Sequence, residues 1–129
     1  MNIENEIYKT LLANTSVTGY VTKKGATPCI AKVIVEPSTW LASDTTCIVY
    51  RVSSQSGADE YQQVQYTVNC RGALQTTAEA LAGYVSTALN RKSSTGGAFF
   101  TCSIEPVIQP ADSTDNFNVP VTVIGKGSN

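Results

Sequence analysis

Between residues 61 and 89 the spacing of apolar residues changes from every second position to every third or fourth position, with no linker between the two patterns. This change constrains the fold more than any other feature of the sequence. From residue 64 onward every second residue is apolar: Val64, Tyr66, Val68 and Cys70. This alternation predicts a strand with one buried face. After Arg71-Gly72 the apolar residues recur every three, four or seven positions: Leu74, Ala78, Leu81, Ala82, Val85 and Leu89. That spacing is typical of an amphipathic helix. A strand that leads directly into a helix predicts a small α+β domain.

Two helices are predicted. The first covers residues 3–12 and has Asn2 as its N-cap. Its apolar stripe repeats every four residues: Ile3, Ile7 and Leu11. Its charged residues are expected on the solvent-exposed side: Glu4, Glu6 and Lys9. The second helix is expected from Thr76 or Thr77 to Asn90, because Thr76 and Glu79 have the spacing of a capping box.

The strands complete the predicted domain. They are expected at residues 30–35, 47–53, 61–70, 100–104 and 117–124. The second and third should form an antiparallel hairpin, with a loop over residues 55–59 that is too long for a tight two-residue turn. The order α-β-β-β-α-β-β predicts one α+β domain over residues 1–129, with a mostly antiparallel sheet of four to five strands packed by two helices. Residues 125–129 are expected to form a mobile tail.

The composition favours contact with other proteins. Only 15% of the 129 residues are charged, whereas about a quarter is typical of globular domains. Neutral polar residues take their place, so few charges must be desolvated at an interface. The net charge of −1 gives no basic footprint for duplex DNA or an anionic membrane. The sequence has no apolar run long enough to span a bilayer and no signal-peptide pattern, which predicts a cytoplasm-like compartment.

The sequence offers little for catalysis. It contains no histidine, which excludes Ser-His-Asp and Cys-His arrangements. Three close carboxylate pairs are interpreted as solvated charges: Glu4/Glu6, Asp59/Glu60 and Asp112/Asp115. The four cysteines form no C-x-x-C pair, so Cys70 and Cys102 are interpreted as small buried hydrophobes, and a zinc site made by distant strands stays open as an alternative. We therefore predict no enzymatic activity, no cofactor and no metal.

The last predicted strand suggests how the chain assembles. Residues 117–124 carry no charge, although charges commonly protect the edges of sheets. Pro120 lies inside this strand, which indicates either an edge strand or a position where no ladder donor is required. The pattern predicts oligomerisation through sheet edges.

Five features follow one another along residues 3–125. They are an Ile-x-x-x-Leu helix, Thr18-Gly19-Tyr20-Val21, the strand at 48–53, a strand that leads into the Ala-Glu-Ala-Leu-Ala run at 78–82, and a closing strand after a polar loop. In this order and pattern the chain resembles the tail-completion proteins of long-tailed bacteriophages, a group that includes tail terminators and tail-to-head joining proteins. The stretch at 28–44 is longer than expected for that family.

The resemblance implies a structural virion protein of the tail or neck, assembled in the cytoplasm of a bacterial host. Such proteins form a ring, typically of six subunits, which caps the tail tube and docks it to the head connector. The implied partners are other copies of the chain, the tail tube protein and a head-completion or connector protein. DNA passes through the ring without specific binding, and no membrane is involved.

The resemblance also suggests candidate surfaces. Subunit contacts are expected at the last strand and the hairpin: Phe117, Val119, Val121, Val123, Arg51, Gln63 and Gln65. Docking or lumen-facing loops are expected to contain Gln55, Asp59, Glu60, Asp112 and Asp115. Their carboxylates would repel DNA phosphates. Two alternatives remain open at this point, namely another phage structural protein (a head-completion, stopper or tail tube protein) and a cytoplasmic module that binds a small ligand.

Overall fold

The computed structural model describes residues 2–24, 27–32, 46–58, 61–110 and 116–128. Its helices are α1 (Ile3–Ala13), α2 (Thr15–Tyr20) and α3 (Gln75–Leu89). Its strands are β1 (Lys23–Lys24), β2 (Thr27–Pro28), β3 (Ile30–Lys32), β4 (Cys47–Ala58), β5 (Tyr61–Gly72), β6 (Lys92–Ser93), β7 (Phe99–Ile104) and β8 (Phe117–Ser128). β1 and β2 form a separate pair, and the other strands form a six-stranded sheet in the order β3-β4-β5-β8-β7-β6. All pairs in this sheet are antiparallel except β3 with β4. The predicted α+β fold is confirmed, with one helix more than expected.

Asparagine side chains start the first two helices. The side-chain oxygen of Asn2 accepts the backbone N–H of Asn5 at 3.1 Å, which confirms the predicted cap of α1. The side chain of Asn14 accepts the N–H of Val17 at 3.0 Å and caps α2 in the same way. Helix α2 was not predicted, because six residues are too few to show a helical period.

Helix α3 begins without a side-chain cap. Its N-cap residue is Leu74, which makes no capping hydrogen bond and is 62% exposed. The predicted capping box of Thr76 and Glu79 is therefore wrong, since β5 continues to Gly72 and the helix starts almost at once. The rest of the predicted stripe is confirmed, and it is buried against the sheet: Ala78, Leu81, Ala82, Val85 and Leu89.

The hairpin is longer and tighter than predicted. β4 pairs with β5 as far as Ala58 opposite Tyr61, which leaves only two residues between the strands. Gln55 is paired with Val64 inside the ladder, so the expected loop over residues 55–59 is wrong. The register shifts between Val52 and Ser54, where β4 has one residue more than β5.

The last strand is central, and the expectation of an edge strand is wrong. β8 pairs with β5 along its whole length and with β7 on its other side. The carbonyl of Pro120 accepts the N–H of Glu105 at 2.9 Å, just beyond the end of β7 at Ile104. The N–H and the C=O of one residue in a strand point toward the same neighbouring strand. The N–H that Pro120 lacks would therefore point toward Glu105, which lies just beyond the end of β7. Residues 125–128, expected as a mobile tail, belong to β8 and pair with residues 61–64 of β5.

One face of the sheet packs against the three helices and forms the core. Fully buried residues come from both layers: Ile3, Ile7, Leu11, Val17, Ile48, Val68, Leu81, Val85, Leu89, Phe100, Val119 and Val121. α1 and β8 approach closely at Gly125, where an added Cβ would lie 2.5 Å from Cγ2 of Ile3. Among the described residues, no helix combines the length and the apolar character that a membrane-spanning segment requires.

Candidate assembly surfaces

The valines predicted as subunit contacts lie in the core. Val119, Val121 and Val123 are each at most 1% exposed, because alternate residues of β8 point toward the helices. Their side chains pack inside the same chain, and a part for this strand in subunit contacts stays a prediction. Phe117, at the start of β8, is half-buried and packs against the same core.

The predicted glutamines lie on the other side of the sheet, here called the outer face. Gln63 is half-buried opposite Lys126 of β8, and Gln65 is half-buried opposite Ile124. Most of the outer face is neutral and polar: Gln63, Gln65, Thr67, Asn69, Thr101, Ser103, Asn118 and Thr122. Arg51 pairs with Thr67 through its backbone, and its side chain lies outside the described part of the structure.

The predicted acidic loops lie outside the described residues. This applies to Asp59, Glu60, Asp112 and Asp115. Gln55, predicted in the same group, is part of β4 rather than a loop. The role of these residues at a docking surface or a channel stays a prediction.

One buried carboxylate makes three polar contacts, although the helical pattern predicted it on the solvent-exposed side. Glu6 of α1 is only 6% exposed, so its predicted place on the solvent-exposed side of the helix is wrong. Its Oε1 accepts the hydroxyl of Ser94 at 2.7 Å and the backbone N–H of Gly96 at 2.9 Å. Its Oε2 lies 3.6 Å from Nζ of Lys9. The site, here called the Glu6 clasp, fastens α1 to the turn between β6 and β7.

The electrostatics of the clasp favour the ionised carboxylate. The hydroxyl of Ser94 contributes most to lowering the pKa of Glu6, burial opposes it, and Gly96 and Lys9 add to the lowering. The turn is itself ordered, because the hydroxyl of Ser94 also accepts the N–H of Ala98 at 3.0 Å. A Cβ at Gly96 would collide with the carboxylate of Glu6, so glycine permits this close approach. One signal for this burial is present in the sequence, since Glu6 lies next to Ile7 of the apolar stripe, but no pattern identifies Ser94 as its partner.

An open groove of about 240 Å³ lies beside the clasp. It is lined by residues of α1, by Asn14 and by residues of β6 and the turn after it: Lys9, Thr10, Ala13, Asn14, Ser93, Ser94 and Thr95. Two of these polar side chains, Lys9 and Ser94, already contact Glu6. Within the described ranges, no three His, Cys, Asp or Glu side chains come together as a metal site would require.

Three of the four cysteines, Cys29, Cys47 and Cys70, are buried, and Cys102 is partly buried. Cys29 and Cys47 form a small second cluster with Ala31, separate from the main core. Burial raises the pKa of Cys70 well above its usual range and that of Cys102 to about 11. The interpretation of Cys70 as a small buried hydrophobe is confirmed by its place in the core, whereas Cys102 is only partly buried against that core.

The fold is shared with a virion protein. No family model matches the sequence, and no curated protein matches it. The structure is similar to a chain in the solved virion of a native gene transfer agent (GTA) particle, with a TM-score of 0.61 and 12% sequence identity. The similarity covers 95% of this chain and 92% of that chain. A second match, to the type 4 fimbrial biogenesis protein PilO from Pseudomonas aeruginosa, has a TM-score of 0.44 and 10% identity, and covers 100% of this chain and 73% of that chain.

Proposed function

We propose that this protein is a structural component of a phage-like virion, and that it forms the ring that ends the tail tube and joins the tail to the head. The observation that carries the proposal is the fold shared with a chain of the GTA virion over 95% of this chain. The sequence pattern that resembles tail-completion proteins supports it independently. A tail terminator or a tail-to-head joining protein fits both.

The chemistry of the surface agrees with an assembly role. Among the described residues the outer face is largely uncharged and half-buried or exposed, so a neighbouring protein can cover it without desolvating many ions. Gln63, Gln65 and Phe117 stay candidates for subunit contacts, because each keeps part of its surface outside the core. A closed ring of six copies uses heterologous contacts, in which one patch meets a different patch of the next subunit.

The proposed partners follow from the position of such a ring. The tail tube protein lies on one side and a head-completion or connector protein on the other. DNA passes through the channel without specific binding. Asp59, Glu60, Asp112 and Asp115 are proposed at the docking or lumen-facing loops, where their charge would repel DNA phosphates.

The experiment that tests this function removes the gene from the phage-like element that encodes it. We expect particles that separate into heads and unattached tails, with tails of irregular length, and normal particles when the wild-type chain is supplied from a plasmid. Electron microscopy of the purified chain should show single rings with a central channel. Long stacked polymers would instead indicate a tube protein, and normal particles without the gene would contradict the proposal.

A further inference from the structure

Two of the four cysteines lie side by side at the β3 edge of the main sheet. Cys29 is the single residue between β2 and β3, and Cys47 is the first residue of β4. Both side chains are 0% exposed, and they form one small cluster apart from the main core. Both are present as thiols in the structure. The fold therefore brings together two sulfur atoms from residues that are 18 positions apart in the sequence.

The pairing of β3 with β4 sets the distance between the two backbones. Ile30 is opposite Ile48 in this parallel pair, so each cysteine directly precedes a paired residue. The N–H of Ile48 is bonded to the carbonyl of Cys29 at 2.9 Å, which continues the pairing to the cysteine itself. Paired strands lie about 4.8 Å apart, and disulfides join Cα atoms that are about 4.4–6.8 Å apart. The backbone positions therefore suit a disulfide.

Thr22 holds the backbone on both sides of the cysteine pair. Its carbonyl accepts the N–H of Cys29 at 2.9 Å. Its own N–H is bonded to the carbonyl of Thr46 at 2.8 Å, and its hydroxyl accepts the N–H of Thr46 at 2.9 Å. Because Thr46 directly precedes Cys47, these hydrogen bonds fix the positions of both cysteines. Such preorganisation favours a bond within the chain over a bond to a second molecule.

The other two cysteines are not placed to pair in this way. Cys70 is on β5 and Cys102 is on β7, and β8 lies between these two strands. Two strand spacings separate them by about 9.6 Å or more, whereas a disulfide requires backbone movement beyond about 7 Å. Cys70 also belongs to the main core, whereas Cys47 belongs to the separate cluster. Of the four cysteines, Cys29 and Cys47 are therefore the two whose positions suit a disulfide.

We propose that Cys29 and Cys47 form a disulfide when the chain meets an oxidising environment. The oxidant is a low-molecular-weight disulfide of the glutathione class. The thiolate of one cysteine attacks a sulfur of the oxidant, whose S–S bond breaks, and half of the oxidant leaves as a thiolate that takes up a proton. The other cysteine loses its proton to water, attacks the protein sulfur of this mixed disulfide and expels the second half, which is also protonated. Two protein thiols are thereby oxidised to one disulfide, and the oxidant is reduced to two thiols.

The position of β3 provides the access that this exchange requires. Both thiols are fully buried, so the oxidant reaches them only when the structure opens locally. β3 has three residues and is the outermost strand of the sheet on its side. A short outer strand is among the elements that open most readily. The disulfide ties the start of β3 to the start of β4, so oxidation should suppress the opening that permits it.

The proposed function suggests when the bond forms, and this step rests on that proposal. The cytoplasm keeps thiols reduced, whereas disulfides persist outside the cell. The cysteine pair would therefore stay reduced while the particle assembles and would be oxidised after release. The disulfide would then stabilise the subunit in the released particle. The bond itself can be tested on the purified chain, independently of any virion.

Peptide mapping tests the bond directly. Trypsin cleaves after Lys and Arg, so the four cysteines lie on four different tryptic peptides: residues 25–32, 33–51, 52–71 and 93–126. The native chain is incubated in a buffer rich in glutathione disulfide, and the remaining thiols are then alkylated in denaturant. Mass spectrometry without reduction should find peptide 25–32 linked to peptide 33–51, with Cys70 and Cys102 alkylated. Alkylation of all four cysteines, or a disulfide between two chains, would overturn the proposal.

Two single variants provide the matched comparison. Cys102→Ser removes a half-buried cysteine and keeps the proposed pair, so the linked peptides should form as in the wild type. Cys29→Ala removes one member of the pair, so no linked peptides should form and Cys47 should be alkylated or carry glutathione. Circular dichroism shows whether each variant is folded. If Cys29→Ala does not fold, the mapping of the wild type still decides the proposal.

Hydrogen exchange tests the effect of the bond on β3. The amide of Ile48 is bonded to the carbonyl of Cys29, so it is exposed when β3 separates from β4. In the oxidised wild type it should exchange at least about tenfold more slowly than in the reduced wild type. Equal rates in the two forms would overturn the proposed suppression of local opening. The gene-deletion experiment decides the proposed function separately from all of these results.

Discussion

The carboxylate of Glu6 joins the first helix to a turn that lies 90 residues further along the chain. Burying an ionised group costs free energy unless hydrogen bonds and opposite charge compensate for it. Here Ser94, Gly96 and Lys9 supply that compensation. Any change that keeps the burial but removes the partners leaves the cost uncompensated. The contribution of the Glu6 clasp to the free energy of unfolding should therefore rise with the ionised fraction of the Glu6 carboxylate.

Replacing Glu6 by glutamine tests this at the scale of one residue. We expect E6Q to lower the free energy of unfolding by about 1–3 kcal/mol at pH 7, since hydrogen bonds to a charged acceptor and the contact with Lys9 are lost. The pKa of Glu6 is lowered in the folded chain, so its stabilisation is present above the unfolded pKa and is lost as the pH falls through the folded pKa. Measured by urea unfolding, the difference in free energy of unfolding between E6Q and the wild type should become smaller below about pH 4.

Glu79 provides the control for this prediction. It is an exposed glutamate on α3 for which no comparable set of partners is described. Glu79→Gln should change the free energy of unfolding by no more than about 0.5 kcal/mol at either pH. If the free energies of unfolding of E6Q and the wild type differ by the same amount at pH 3 and at pH 7, the Glu6 clasp does not act through its charge.

At the scale of elements, the uncharged residues 117–124 of β8 are better explained by a central position in the sheet than by an exposed edge. Edges are commonly protected by charges, and a strand that is paired on both sides requires no such protection. β8 is paired with β5 and β7, and its single proline lies where β7 has ended. The absence of charge therefore indicated burial in the sheet, and the proline alone was a misleading sign of an edge.

The packing of α1 on β8 can be tested with two glycines. At Gly125 an added Cβ would lie 2.5 Å from Ile3 and 3.1 Å from the ring of Phe100. We expect Gly125→Ala to destabilise the protein by about 1–3 kcal/mol, because helix and strand must move apart.

Gly83 in α3 provides the matched control, because a Cβ added there would have no other part of the structure within 4 Å, apart from its own helix backbone. Gly83→Ala should therefore stabilise the protein by about 0.5–1 kcal/mol. Thermal or urea unfolding distinguishes the two, and a neutral Gly125→Ala would mean that α1 does not rest on β8 at this point.

At the scale of the whole molecule, local patterns were predictable and long-range pairing was not. The alternation from Val64 to Cys70 and the helical stripe from Ala78 to Leu89 depend only on which side of each element faces solvent. Both could therefore be predicted from the sequence. The position of Cys70 opposite Val119 depends on which strands pair, and a hydrophobic period carries no information about the partner strand. The same limit hid the central position of β8, because its pairing with β5 and β7 joins residues far apart in the sequence.

The architecture leads to a last prediction about the whole molecule. The helices cover one face of the sheet, and the described residues of the outer face are half-buried or exposed, so the isolated chain relies mainly on the core between the helices and the sheet. A neighbouring copy that binds the folded chain stabilises it by mass action. At low salt we expect the melting temperature to rise by about 3–6 °C for each tenfold increase in protein concentration. Differential scanning fluorimetry over a concentration series measures this. If the melting temperature does not change with concentration, the stability of the chain is that of a monomer, and the proposed ring must then form only on the tail.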